Sequence, residues 1–367
     1  MTSPEDFVIQ DGVLLAYRGY GGLVTVPEGV TKIGREAFAG AGPERITLPE
    51  SVTEIGYQAF GGCTSLIRID LPQGIKQLDI GAFWRCTALT GVTLPKGITS
   101  ISQRLFSGCD HLTQVTIPEG VTAIGPNAFA QCERLAGVVL PGSLVQIRRG
   151  AFEDCADLTE ITIPKGITEL SHGLFCGCHS LASVTLPEGL KKIGEAAFLN
   201  CPNLTELSLP EGLEEIGRIA FSNCVRLAHI ALPEGLKKLG LGAFGHCKAL
   251  GEITIPESVT ELEHEIFNEC AALERVRLPS NLTQLPWHLF LRCENLADLQ
   301  ADGVPLSQLP DSLCKRAAAV NFARRTVAGE AFPEDRRIEF TKYIRSQRKK
   351  LAPLAAQYPE LRQLLEA

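Results

Sequence analysis

The sequence predicts an α/β repeat protein: a solenoid of stacked rungs with a parallel β-sheet on its concave face, an N-terminal β-hairpin cap and a C-terminal helical tail. Three recurrences predict it. Prolines fall 23 residues apart from Pro49 through Pro118, Pro187 and Pro256 to Pro279. Phenylalanine keeps the same beat from Phe38 to Phe290, and cysteine from Cys63 to Cys293 in eleven consecutive rungs. A chain of 367 residues is long enough for two or three ordinary domains, but one period running through most of it implies one repeated core. The predicted division is a hairpin cap over residues 1–20, a solenoid of about twelve rungs over 21–310 and a basic helical tail over 311–367.

Each part of a rung has a local cause. The working template is P-x-G-[VIL]-x-x-[IL]-G-x-x-A-F-x-x-C-x-x-L-x-x-[VIL]-x-[LI]. Segments such as 112–118 (LTQVTIP) and 181–187 (LASVTLP) alternate apolar and polar residues with β-branched enrichment, and so read as short strands. Proline stops each strand by withholding an N–H. In L-P-E-G the proline suits the second position of a type I turn and glycine the fourth, with Ser51, Ser143, Ser258 and Asn281 as alternative turn formers. The stretch after the turn, for example 121–132, spaces Val121, Ile124, Ala128, Phe129 and Cys132 irregularly, which predicts a second short extended or 3₁₀ segment facing the same core. A lone rung buries too little to offset its ordering entropy, so the rungs must stack and the ends need caps.

Both caps are visible. Residues 7–19 form two strand-like runs around Asp11-Gly12, a dipeptide favoured in two-residue hairpins. At the other end the period fails after Cys293, and residues 305–316 echo 281–293 with Leu306, Leu309 and Leu313 standing for Leu282, Leu285 and Leu289: a degenerate last rung. In the tail, Asp311-Ser312 is read as the N-cap region of a helix over 313–332. Pro333-Glu334-Asp335 is read as the first turn of a second helix running towards Leu351, and Pro359 as the start of a third.

Composition narrows the function. The tail carries 12 Lys+Arg against 7 Asp+Glu, a net of +5, which leaves 23 against 35, a net of −12, for residues 1–310. An acidic body disfavours nucleic acid as a partner of the solenoid, and leaves it, or an acidic protein, as an option only for the basic tail around Arg336, Arg337, Lys342, Arg345, Arg348, Lys349 and Lys350. No apolar run approaches the ~20 residues of a membrane span. The first residues are acidic where a secretory signal would be basic, so the expected location is cytoplasmic, with a secreted or surface location as the alternative if the chain is a fragment.

The cysteine column points every sulfur the same way, whereas zinc requires convergent ligands, so the thiols are read as buried core and no metal or cofactor is expected. Cys176, two residues before Cys178 and close to His179, is read as a fortuitous extra thiol. The seven histidines have no repeated acidic or serine partner, and no nucleophile, acid–base pair or phosphate loop stands out, so the chain is not expected to be an enzyme. The pairs Lys191-Lys192, Glu214-Glu215 and Lys237-Lys238 alternate in sign and are expected to form inter-rung salt bridges.

The motif C-x-x-L-x-x-V-x-L-P-x-G-V-x-x-I-G-x-x-A-F, repeated over residues 21–300, resembles the BspA-like bacterial leucine-rich repeat. The resemblance implies a leucine-rich-repeat solenoid whose strands line the inner curve, and a role in binding proteins. The expected function is a non-catalytic interaction scaffold with a protein partner; the alternative is a cell-surface adhesin for a host or matrix protein. The outward strand positions are the candidate binding face. Arg68, Asp70, Gln114, Glu160, Glu206, His229, Glu252, Arg275 and Arg277 supply its polar groups, beside a column rich in threonine.

Overall fold

The computed structural model describes residues 3–366. The rungs make about 13 turns, one more than the twelve expected, because a turn ending at 298–300 completes the stack. Two parallel strand ladders run along it. The first comprises Gly22–Thr25, Pro43–Thr47, Arg68–Asp70, Gly91–Thr93, Gln114–Thr116, Glu160–Thr162, Ser183–Thr185, Glu252–Thr254, Arg275–Arg277 and Asp298–Gln300, with single bridges at Val139 and between Glu206 and His229. Pairing such as Ile161↔Val184 and Ile253↔Val276 is in register by one period, so like residues stack on like. In strands such as Arg68–Asp70, Gln114–Thr116, Glu160–Thr162 and Arg275–Arg277 the central residue is buried and its neighbours are exposed, as the alternation requires.

The segment after each turn resolves into a second ladder of two-residue strands, from Lys32–Ile33 to Glu261–Leu262. It is extended rather than 3₁₀. Its glycine is fixed by close backbone approach: a Cβ on Gly217 would lie 2.7 Å from the Glu195 nitrogen, and one on Gly240 2.6 Å from that of Arg218. The ladder stops at Leu262, where the next rung places Pro286. In preceding rungs that residue donates to the carbonyl one rung back, as Gly240 does to Ile216 and Glu263 to Leu239 at 2.9 and 3.0 Å, and proline has no N–H to give.

The third side of each rung carries the Ala-Phe-x-x-Cys run, hydrogen-bonded forward through bonds such as Phe106 N to Ala128 O and Phe129 N to Ala151 O at 2.8 and 2.9 Å. Two residues per rung here are left-handed. One column includes Gly81, Asn127, Gly150 and Ile219, the last at φ 46°; the other includes Gly108, Asp154, Asn200 and Asn223. The sequence reading had not found them.

The aromatic rings form one column from Tyr17 through every template phenylalanine to Phe290, with centroids 4.9–5.9 Å apart. Beside it each ladder thiol donates to the phenylalanine carbonyl of the preceding rung, from Cys63 to Phe38 at 3.0 Å to Cys293 to Phe267 at 2.9 Å. The turn serines tie successive rungs in the same way: Ser51, Ser143 and Ser258 donate to the carbonyls of Val30, Val121 and Leu236. The charged pairs bridge rungs as expected, Lys237 to Glu214 at 2.6 Å and Lys192 to Glu215 at 3.5 Å.

The N-terminal hairpin pairs Phe7–Gln10 with Val13–Tyr17 around Asp11 and Gly12, both left-handed, and starts the second ladder through Leu14↔Ile33. The tail comprises helices α1 (Ser312–Val327), α2 (Glu334–Ser346), α3 (Arg348–Ala355) and α4 (Pro359–Glu366). Asp311 caps α1 through the Cys314 N–H at 2.8 Å. Two expectations need correction: α1 ends at Val327, ahead of a left-handed Gly329, and the second predicted helix breaks at Gln347 into α2 and α3. Gly329 is the usual stop signal past a helix end.

The tail covers the end of the core. Leu306, Leu309, Phe322, Phe340, Ile344, Leu351 and Leu361 are buried in one cluster continuous with the rungs, and Phe322 stacks on Phe340 at 4.7 Å. Asp302 accepts from Arg325 at 2.6 Å and lies 3.5 Å from Arg336, whose Nη2 also donates to the Ala301 carbonyl. Burial alone would raise the Asp302 carboxyl, but hydrogen bonds from Arg325 and Gln300 and the two guanidinium charges outweigh it and hold it below its ordinary value. Arg336, read from sequence as part of the basic tail open to an acidic partner, instead docks the tail on the last turn.

Candidate functional site: the strand face and its C-terminal cleft

The polar positions of the first ladder all point away from the core, because strand alternation leaves them no other choice. Arg68, Asp70, Gln114, Glu160, Glu206, His229, Glu252, Arg275 and Arg277 are all exposed, as are Thr93, Thr116, Thr162 and Thr185 beside them. They are not one site. Glu206, His229, Glu252, Arg275 and Arg277 line a single open cleft of about 960 Å³ at the C-terminal end of the face. Arg68, Asp70 and Gln114 line a second depression of about 400 Å³ near the start, where Arg68 is held by Asp70 at 3.0 Å. Glu160 lines neither.

The cleft owes its depth to α1, which packs on the last strand and raises a wall beside it. The residues that join wall to floor went unread in the sequence: Asp298 and Gln300 on the final strand, Asn321 and Arg324 on the helix. Asp298 is 4% exposed, accepts from Asn321 Nδ2 at 2.7 Å and pairs with Arg324 at 2.6 Å. The one available signal was positional, since Asp298 continues the column of Glu252 and Arg275. In the floor, Arg275 makes two bonds to Glu252 Oε2 at 3.0 and 2.8 Å, and this contact holds the guanidinium even more firmly in its charged form.

Among the described residues no three His, Cys, Asp or Glu side chains come together as a metal site. Cys178 belongs to the ladder and donates to the Phe152 carbonyl at 3.1 Å. Cys176 is half-buried; burial, then the Glu153 and Asp154 charges, push its thiol up to about 11, so it is protonated and unreactive at neutral pH. Among the described residues no helix is long and apolar enough to cross a membrane.

The comparisons with known proteins agree with this architecture. Six copies of the BspA type leucine-rich repeat region match residues 23–136, 122–250 and 214–313. The chain belongs to the BspA-type leucine-rich repeat family. Among solved structures it is similar to a leucine-rich repeat protein from Bacteroides ovatus, at 26% identity and TM-score 0.55 over 82% of this chain and 91% of that one. One from Eubacterium ventriosum matches at 20% identity and TM-score 0.53 over 83% and 93%. The T. pallidum leucine-rich repeat protein is 33% identical over 55% of this chain and 90% of its own, with TM-score 0.41. No curated protein matches. The BspA-type repeats account for the rungs, and the leucine-rich-repeat solenoid is the fold shared with the Bacteroides ovatus and Eubacterium ventriosum proteins.

Proposed function

We propose that this BspA-type repeat protein is a non-catalytic scaffold that binds a protein partner across the exposed strand face, with the C-terminal cleft as its principal contact. The observation that carries the reading is the convergence of five separately spaced polar residues, Glu206, His229, Glu252, Arg275 and Arg277, in one cleft walled by α1. Side chains here vary from rung to rung while the core positions beneath them repeat, so they are free of the packing constraint and available for recognition. The face has no aromatic anchor, which favours a polar, reversible contact over a permanent one.

Reversing Glu160, Glu206 and Glu252 together to lysine is expected to abolish capture of whichever partner co-purifies with the unaltered protein, while the thermal midpoint stays nearly constant. Unimpaired capture would remove the strand face from consideration. Deleting the tail is not a usable control, because it would uncover the core. Reversal of the exposed Lys342, Arg345 and Lys349 is the appropriate one. Loss of capture in that variant alone would transfer binding to the basic tail.

A further inference from the structure

The cleft is more selective than a polar patch, because it carries separated opposite charges that no described residue answers. Among the described residues, Arg277 has no carboxylate within salt-bridge reach. Glu330 senses its charge but is engaged by Arg325. Glu206 likewise has no cationic partner among the described residues, and two further lining carboxylates, Glu211 and Glu234, share that condition. The remaining charges are spent internally: Glu252 on Arg275 between Glu206 and Arg277, and Asp298 on Arg324 one rung beyond Arg277. Ser208, Ala231 and Thr254 keep the path between Glu206 and Arg277 shallow and uncharged.

Their separation is set by the ladder. The strands of Glu206 and Arg277 lie three rungs apart in a ladder whose strands are spaced about 4.8 Å, so roughly 14 Å separates them along the solenoid axis. An extended peptide advances about 3.3 Å per residue, so that distance spans roughly four residues. We propose that the cleft takes an extended protein segment laid along the solenoid axis, with a basic side chain at Glu206 and an acidic one roughly four residues away at Arg277. This rests on the strand-face reading above and adds a partner chemistry to it. A uniformly anionic ligand such as a nucleic acid fits poorly, since Glu206, Glu211 and Glu234 would repel it over half its length.

The test uses the whole protein and dye-labelled peptides capped at both ends, one lysine and one glutamate separated by between one and about seven serine or alanine residues, read by fluorescence anisotropy at low salt. Binding is expected to peak where about three or four residues intervene. Arg277→Glu should weaken the best peptide about tenfold, the effect of losing one such ion pair, and exchanging the peptide's glutamate for lysine should restore it. Glu206→Lys should be rescued by the converse exchange. Affinity independent of spacing, indifference to Arg277→Glu, or no binding of any peptide at about millimolar concentration would overturn the inference. If partner capture still fails on reversing the face in that case, the strand face stands and only the charge spacing falls. If the spacing optimum is found while capture ignores the face, the cleft chemistry stands and the co-purifying partner binds elsewhere.

Discussion

Phe129 sits between the rings of Phe106 and Phe152, at 5.6 and 5.4 Å, and is fully buried. Its removal opens a cavity in a column that cannot collapse, because the rungs on either side hold their spacing by backbone hydrogen bonds. Phe129→Ala should therefore cost about 3–5 kcal/mol, whereas Thr116→Ala on the exposed face should shift the denaturation midpoint far less. Equal shifts would mean that the phenylalanine column is not the core of the rungs. Ile219 poses the opposite case. It is β-branched yet left-handed at φ 46°, in a column where other rungs place Gly81, Gly150 and Gly173. That conformation costs an L-residue roughly 1–2 kcal/mol, so Ile219→Gly should raise stability by about 1 kcal/mol after the loss of some side-chain contact. A fall in the chemical denaturation midpoint would show that the contact outweighs the strain. The left-handed columns were legible in principle: one contains four glycines from Gly81 to Gly242, the other Gly108, Gly177, Asn200 and Asn223. They were missed because Glu36, Arg104 and Ile219 occupy the same positions without any preference for them.

At the scale of elements, what repeats could be read and what occurs once could not. The strand, the proline turn and the hairpin at Asp11-Gly12 each follow from local chemistry stated many times over or in an unambiguous dipeptide. The end of the second ladder at Pro286 and the break between α2 and α3 at Gln347 are single events. The junction between tail and rungs is also unique. It joins Asp298 to Asn321 and Asp302 to Arg325, and Glu339 accepts from the Leu306 and Ser307 N–H groups, all between polar residues with no period to betray them. The same isolation hid the α1 wall of the cleft, so the floor of the candidate site was legible and its side was not. Asp302 is the keystone of that junction. Asp302→Ala leaves the half-buried Arg336 without its carboxylate and Arg325 with Glu330 alone, and because one of the two guanidiniums keeps a partner the cost should fall at about 2–3 kcal/mol, below that of a fully orphaned buried pair. The variant should release the tail while the rungs stay folded, seen as rapid tryptic cleavage within α2 and retained strand circular dichroism. Cleavage no faster than in the unaltered protein would mean that Phe322 and Phe340 hold the tail alone.

For the molecule as a whole the cysteine column makes stability a function of pH. The eleven ladder thiols are all buried and donate to phenylalanine carbonyls. Burial pushes each thiol up: Cys63, Cys224 and Cys293 to about 12, and Cys86, Cys109, Cys132, Cys178, Cys201 and Cys247 well above their ordinary value. In the unfolded chain a thiol ionises near pH 8.5. The folded state thus retains protons that the unfolded state gives up, so the stabilisation is complete below about pH 8.5 and declines as pH rises towards 12 and beyond. Each thiol contributes up to about 1.4 kcal/mol per pH unit in that window, and eleven acting together would reach roughly 15 kcal/mol per unit, more than the whole stability of an ordinary domain. The protein should therefore show thiol-independent behaviour up to about pH 8 and unfold abruptly between about pH 9 and 11. Urea midpoints measured under reducing conditions at half-unit steps would reveal the slope. Lysine and tyrosine also titrate at the upper end, so the decisive comparison is with Cys109, Cys132, Cys155 and Cys178 all changed to alanine. That variant, weaker at neutral pH, should lose stability less steeply above pH 9, by about four elevenths of the thiol contribution if the column acts uniformly. An unchanged slope would mean that the thiols are not what the alkaline transition reports.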